Sequence, residues 1–192
     1  GAPLQMTSRF LTTLAKSDRI TEVTSSSADL DGKLEPQALE MAVAENVKRG
    51  DFTTCHQLCQ IAASLSITKS SRTFEMLARH TTEYSALRGL VEEMRNSDVV
   101  FSKTMVEAVL LACSVTKDSE LASEIVARAD LPRADRDICT ALVTVYASCE
   151  LWDMACCIYE EVILPSQLKL DPSLVEVLLK AASNSNRTDL IP

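Results

Sequence analysis

Four positions in this chain, Cys55, Leu87, Ala122 and Ala155, recur at spacings of 32, 35 and 33 residues, each at the same place in an amphipathic stretch. Each stretch follows another of similar length, and in that preceding series Leu142 and Leu178 are 36 residues apart. Self-similarity at a period of about 35 residues, with two helical stretches per period, constrains the fold more than any other feature. Such a unit is apolar on two sides and cannot bury both alone, so neighbouring units must stack. The expected fold is all-α, a right-handed α-solenoid of helix–turn–helix repeats of about 35 residues.

The boundaries follow from local signals. Residues 1–35 read as an N-terminal helix, with Phe10, Leu11 and Leu14 on one face, and a polar linker over 22–36. Pro36 suits the first turn of a helix, where its missing amide hydrogen costs nothing. Leu39, Ala42, Val43 and Val47 then recur at helical spacing. Gly50, in Lys48-Arg49-Gly50-Asp51, can take the left-handed conformation that ends a helix. A second helix over 52–64 carries Phe52, Cys55, Leu58, Cys59 and Ala62 on one face. Further pairs are expected at 70–80 with 84–94, 103–115 with 118–129, and 136–148 with 151–163. A last first-helix runs from Pro172 to Ala182 and breaks at Ser183-Asn184-Ser185-Asn186. The repeats thus span 36–67, 68–102, 103–135 and 136–171, with a half repeat at 172–182.

Composition supports helices. Only four Gly and six Pro interrupt 192 residues, and aromatics are 4%, few for a β-sandwich. Seven Cys, an odd number set inside apolar runs, read as reduced core thiols rather than a secreted disulfide framework. With no secretion signal read at the start and no run of about 18 apolar residues, the expectation is an intracellular protein without a membrane span.

No motif points to catalysis, a metal or a cofactor. Cys55-His56-x-x-Cys59 places two thiols one turn apart, but both fall on the apolar stripe and His80 is the only other histidine. Cys156 and Cys157 point about 100° apart on a helix, one to the core and one to inter-repeat packing. Asp29-Leu30-Asp31-Gly32 lacks the first and twelfth carboxylates of a calcium loop and reads as linker. Gly-rich phosphate loops and nucleophile elbows are absent from the sequence, so a non-enzymatic binding surface is expected.

The unit at 137–164 is the sharpest. Thr140-Ala141-Leu142-Val143 opens it, Tyr146-Ala147-Ser148-Cys149-Glu150 ends its first helix, and Ala155 through Ile158-Tyr159-Glu160-Glu161-Val162 forms its second. This resembles a pentatricopeptide repeat, with its Thr/Asn-Ala-Leu-Ile start, Tyr-Ala-x-Cys-Gly helix end and Ala-x-x-Leu-Phe-Glu-Glu-Met second helix. Leu90-Val91-Glu92-Glu93-Met94 matches the same ending, and Lys48-Arg49-Gly50-Asp51-Phe52 the inter-helix turn. The resemblance covers about 36–182. Tetratricopeptide repeats share the architecture, but their Trp-x-x-Leu-Gly and late Pro signatures are missing.

The resemblance implies binding of single-stranded RNA, one base per repeat, in an organelle (mitochondrion or plastid). The base would be read by a first-helix residue (Glu40, Arg72, Glu107, Thr140, Glu176) and an end-of-repeat residue (Ile67, Ser102, Asp135, Asp171). Thr140 with Asp171 resembles a guanine-reading pair of the family. Three glutamates in the row would repel phosphates, and the net charge of −8 works the same way. The residues therefore also allow a different partner, a basic protein received by Glu40, Glu107 and Glu176 without any RNA. The last helix, with Leu174, Val175, Val177, Leu178 and Leu179, is apolar for a terminal cap, and a contact between copies through the terminal repeats is expected to cover it.

Overall fold

A computed structural model describes residues 8–9, 11–13 and 36–190; the expected linker at 22–35 and residues Phe10 and Leu14 lie outside the described residues. The described secondary structure is helical, with no strand. The helices are α1 (Pro36–Lys48), α2 (Phe52–Ser64), α3 (Ser71–His80), α4 (Tyr84–Arg95), α5 (Lys103–Thr116), α6 (Ser119–Arg128), α7 (Arg136–Ser148), α8 (Trp152–Ile158) and α9 (Pro172–Asn184). A π-helical turn, Tyr159–Ile163, prolongs α8, and a 3₁₀ turn, Thr188–Leu190, follows α9. No helix among the described residues is long and apolar enough to cross a membrane.

The first helices start at 36, 71, 103, 136 and 172, and the second helices at 52, 84, 119 and 152. Burial repeats with them. The fourth and eighth residues of the first four first-helices are Leu39 and Val43, Phe74 and Ala78, Val106 and Leu110, Cys139 and Val143, all at most 4% exposed. Positions four apart share one helix face, so each of these helices presents the same apolar stripe.

The chain divides into two compact units, 1–80 and 81–192. In the first, α1 packs on α2 and on α3. Its core holds Leu39, Val43, Leu58 and Ile61, and Leu11 from the N-terminal helical residues joins it. Asn46, wholly buried, donates to the Ala42 carbonyl at 2.8 Å and to the Thr12 hydroxyl at 3.4 Å. In the second unit, α5 packs on α4, α6 and α7, and α7 packs on α6, α8 and α9. α5 and α7 therefore each touch their own partner and the next first helix. Leu87, Met94, Met105, Leu110, Leu121 and Ile163 are its largest fully buried side chains.

Three of the four turns inside the pairs, those after α1, α5 and α7, are built the same way. Gly50, Lys117 and Glu150 all take positive φ, at +71°, +57° and +59°. One residue later, the amides of Asp51, Asp118 and Leu151 donate five residues back, to the carbonyls of Asn46, Cys113 and Tyr146 at 2.9, 3.1 and 2.9 Å. This closes the Schellman pattern that satisfies the last helical carbonyls. Asp51 and Asp118 then cap the following helix, accepting from the amides of Thr54 and Leu121. Only the first turn uses Gly. At Lys117 and Glu150 a Cβ is held in the left-handed region, at a cost of about 1 kcal/mol each.

Asp118 has a second role. Its carboxylate is 2% exposed, and Arg88 from α4 grips it through two bonds of 2.7 and 2.8 Å. Burial alone would push the carboxyl up, but the Arg88 guanidinium and the Leu121 amide bring it below its ordinary value of 3.8. Beside it, burial first and then the Asp118 charge push the Cys113 thiol up to about 12.

Two outcomes follow from this anatomy. Glu150→Gly is expected to stabilise the chain by about 0.5–1 kcal/mol in urea unfolding, because it relieves the left-handed Cβ. A loss of stability would show that the turn is not left-handed. Arg88→Ala strands a buried carboxylate; with Arg88 about a third exposed, the screened cost is expected near 2 kcal/mol. An unchanged unfolding midpoint would show that the pair is not formed.

Candidate nucleic-acid interface

The helix starts set which residues are equivalent. The fifth residues of the first helices are Glu40, Glu75, Glu107, Thr140 and Glu176. The residues just before α3, α5, α7 and α9 are Ser70, Ser102, Asp135 and Asp171. Two sequence assignments therefore move: Glu75 takes the place of Arg72, and Ser70 that of Ile67. The reason is local. After α2 the chain turns at Ser66, with φ +55°, and Ile67 drops against the core of its unit. Three more residues pass before α3 begins.

These before-helix residues are caps. The Ser70 hydroxyl accepts from the Thr73 amide at 3.2 Å, and that of Ser102 from the Met105 amide at 3.4 Å. Asp135 Oδ1 accepts from the amides of Asp137 and Ile138 at 3.0 and 3.2 Å. Asp171 Oδ1 accepts from the Leu174 amide at 2.8 Å and from the Ser173 hydroxyl at 2.6 Å. Short polar side chains at these positions satisfy amides that the helix leaves open.

The same stacking brings a fifth residue against the next cap. In the first unit the Ser70 hydroxyl donates to Glu40 Oε2 at 2.6 Å, and Arg72 Nε stands 3.7 Å from Oε1. In the second unit Lys103 Nζ lies 2.6 Å from Asp137, 2.9 Å from Asp135 and 3.9 Å from Glu107. Glu107 and Asp135 thus share one cation. The Thr140 hydroxyl donates to the Arg136 carbonyl at 2.8 Å, and the Arg136 charge acts on the Asp171 carboxyl. Glu176 is exposed on α9.

The cations alter the electrostatics. Burial would raise the Asp135 carboxyl, but Lys103 and the two capping amides hold it below the ordinary range. The Asp171 carboxyl is lowered by the Ser173 hydroxyl first, then by the Leu174 amide and the Arg136 charge. Bonds to Asp137 and Asp135 raise the Lys103 ammonium. Glu40 and Glu75 have Arg72 and Arg79 beside them, and Glu107 shares Lys103 with Asp135 and Asp137. The row is therefore less anionic than the glutamates alone suggest. Lys103 has no acidic neighbour within three residues in the sequence. Its position one residue after a cap, one period before Asp135 and Asp137, was the signal that identifies it.

Four cysteines, Cys55, Cys113, Cys139 and Cys156, are buried, and Cys59, Cys149 and Cys157 are half-buried. Cys55 is buried and its thiol donates to the Val43 carbonyl at 3.8 Å; burial, then the Asp51 charge, pushes it up to about 11. Cys156 is buried and Cys157 half-buried, so the neighbours do face different surroundings. Among the described residues, no group of three or more His, Cys, Asp or Glu side chains is placed to hold a metal ion. No protein-family model matches this chain, and no curated protein matches it.

Because its folded value is lowered, Asp135 contributes stability that is present above the unfolded carboxylate range and lost as pH falls through the folded value. Lys103→Met is expected to raise the Asp135 carboxyl and shift acid unfolding to higher pH. Carboxyl-carbon titration by NMR and the acid midpoint check both; if neither moves, the Lys103 cluster does not form.

Proposed function

We propose that this chain is a non-enzymatic binding module of the pentatricopeptide type, its helix pairs stacked within each unit as an α-solenoid, and that it takes single-stranded RNA along the N-terminal edge of the first helices. One observation carries this. In both units the fifth residue of a first helix meets the capping residue of the next, as Glu40 meets Ser70 and as Glu107 and Asp135 share Lys103. In the family that the sequence resembles, this is the pair that reads a base. The turn at Glu150 adds support: it adopts the left-handed conformation where the family motif carries Gly.

Thr140 with Asp171 is the best-equipped pair. A hydroxyl and a carboxylate offer acceptors to the N–H groups on the Watson–Crick edge of guanine, and Asp171 keeps its negative charge through its caps. Arg136 supplies a cation beside that pair for a phosphate. At Glu40 and Glu107 the neighbouring Arg72 and Lys103 offset the charge that would repel the backbone. An intracellular, organellar location follows from the resemblance.

A second reading rests on a specific observation. Four of the five fifth residues are glutamates, against a net charge of −8, which suits a basic protein partner.

Fluorescence anisotropy with a mixed single-stranded RNA pool at low salt tests the proposal. Binding is expected to weaken linearly in log salt. Thr140→Ala with Asp171→Ala should cost about tenfold on guanine-containing RNA and little on RNA lacking guanine. No binding at low salt overturns the RNA reading. Capture of polylysine weakened by Glu107→Gln and Glu176→Gln would then establish the protein-binding one.

A further inference from the structure

Phe52 opens α2 in the first unit, just ahead of the buried stripe of Cys55, Leu58 and Ala62. Its ring does not join that core. It is 45% exposed and stacks on the ring of His80, with centroids 4.8 Å apart and planes 28° apart. His80 is the last residue of α3 and is also exposed. Two stacked rings therefore stand at the surface where α1 ends, α2 begins and α3 ends.

The charges around them are chiefly positive. Lys48 and Arg49 precede Phe52 by four and three residues, and Arg79 directly precedes His80; all three are exposed. The acids at this end are engaged: Glu45 by Arg49, Glu75 by Arg79, and Asp51 by the amide and hydroxyl of Thr54. Lys48 has no ion-pair partner among the described residues. Helix C-termini attract cations by themselves, so the macrodipole accounts for Lys48 and Arg79. It does not account for an aromatic pair at the same place. From Phe52 one face of α2 runs on through His56 and Gln60, both exposed, and α2 carries no acidic residue.

Stacked rings beside a free ammonium suit one ligand chemistry, a nucleobase with its phosphate. Every base has a π face to lay on an aromatic pair, and a nearby cation meets the backbone. A lone nucleotide held by one ring face and one ammonium binds weakly, whereas a strand held by several such contacts binds through their sum. We infer that the Phe52–His80 pair is a stacking platform for a nucleotide of single-stranded nucleic acid, with Lys48 meeting its phosphate. The platform lies at the C-terminal ends of α1 and α3. Along α1, Lys48 is eight residues, about 12 Å, from Glu40 in the base-reading row. The platform uses no residue of that row and stands or falls separately from it.

An oligouridylate carrying one central 2-aminopurine tests this on the full chain at low salt, because stacking quenches that base's fluorescence. Quenching is expected. Phe52→Leu should weaken binding about tenfold with helical circular dichroism retained. Lys48→Gln should lower the slope of log affinity against log salt by about 0.7. The strand lacks guanine, so Thr140→Ala with Asp171→Ala should leave the quenching unchanged. Quenching lost in that double variant would place the base on the row and overturn the platform. Undiminished quenching and affinity in Phe52→Leu overturn it as well. The monophosphate of 2-aminopurine riboside binding as tightly as the strand overturns a strand as the source. Polyglutamate displacing the strand at equal charge overturns nucleic acid as the ligand.

Discussion

Gly50, Lys117 and Glu150 stand where the backbone leaves the first helix of a pair and enters the second. At each, a single left-handed residue and a hydrogen bond reaching five residues back reverse the chain within two or three residues. The next residue is an aspartate that caps the second helix in two of the three cases. The geometry sets how the two helices of a pair face each other. It also sets which apolar positions meet. That two of the three turns bear a Cβ in the left-handed region means that the surrounding packing holds a conformation the local chain disfavours.

Stacking then couples the pairs, and it does so with polar as well as apolar groups. Within each unit a first helix packs on its successor. The same stacking lays Glu40 beside the Ser70 cap, and Glu107 beside the lysine that the Asp135 cap holds. Caps are short and polar because helix starts leave amides open. They therefore come with carboxylates or hydroxyls ready to meet a cation from the preceding helix. Lys103 among Asp135, Asp137 and Glu107 is the clearest case; in the other unit the Ser70 cap meets Glu40 of the preceding helix, with Arg72 3.7 Å from that carboxylate. A surface that looks repulsive when glutamates are counted becomes a mosaic of paired charges.

The Arg88–Asp118 pair belongs to the same logic in the interior of the second unit. An aspartate placed to cap α6 ends up buried, and the guanidinium from α4 is what makes that burial tolerable. The cap is local and readable from Asp118 followed by Ser119-Glu120-Leu121. The partner, 30 residues earlier, is not.

Much of the fold was legible because it rests on periodicities. Helical spacing marked the helices to within a residue or two, and the start at Pro36 and the end at Gly50 followed from what those residues can and cannot do. The spacings of 32, 35 and 33 residues between second helices were present in the chain itself, and the helix starts repeat them. Register was less legible. Ile67 and Arg72 were placed by counting through a loop, and loops carry no period. Only packing showed that Ile67 turns inward and that Ser70 and Glu75 hold the equivalent positions. The pairing of charges was also decided by tertiary structure. Coulomb attraction acts over a few ångströms, and a lysine is isolated or shared among three carboxylates according to what stacking brings beside it. Sequence by itself determined a helical chain with a stripe on every first helix. Tertiary structure decided which side chains close each stripe and which caps face which cations.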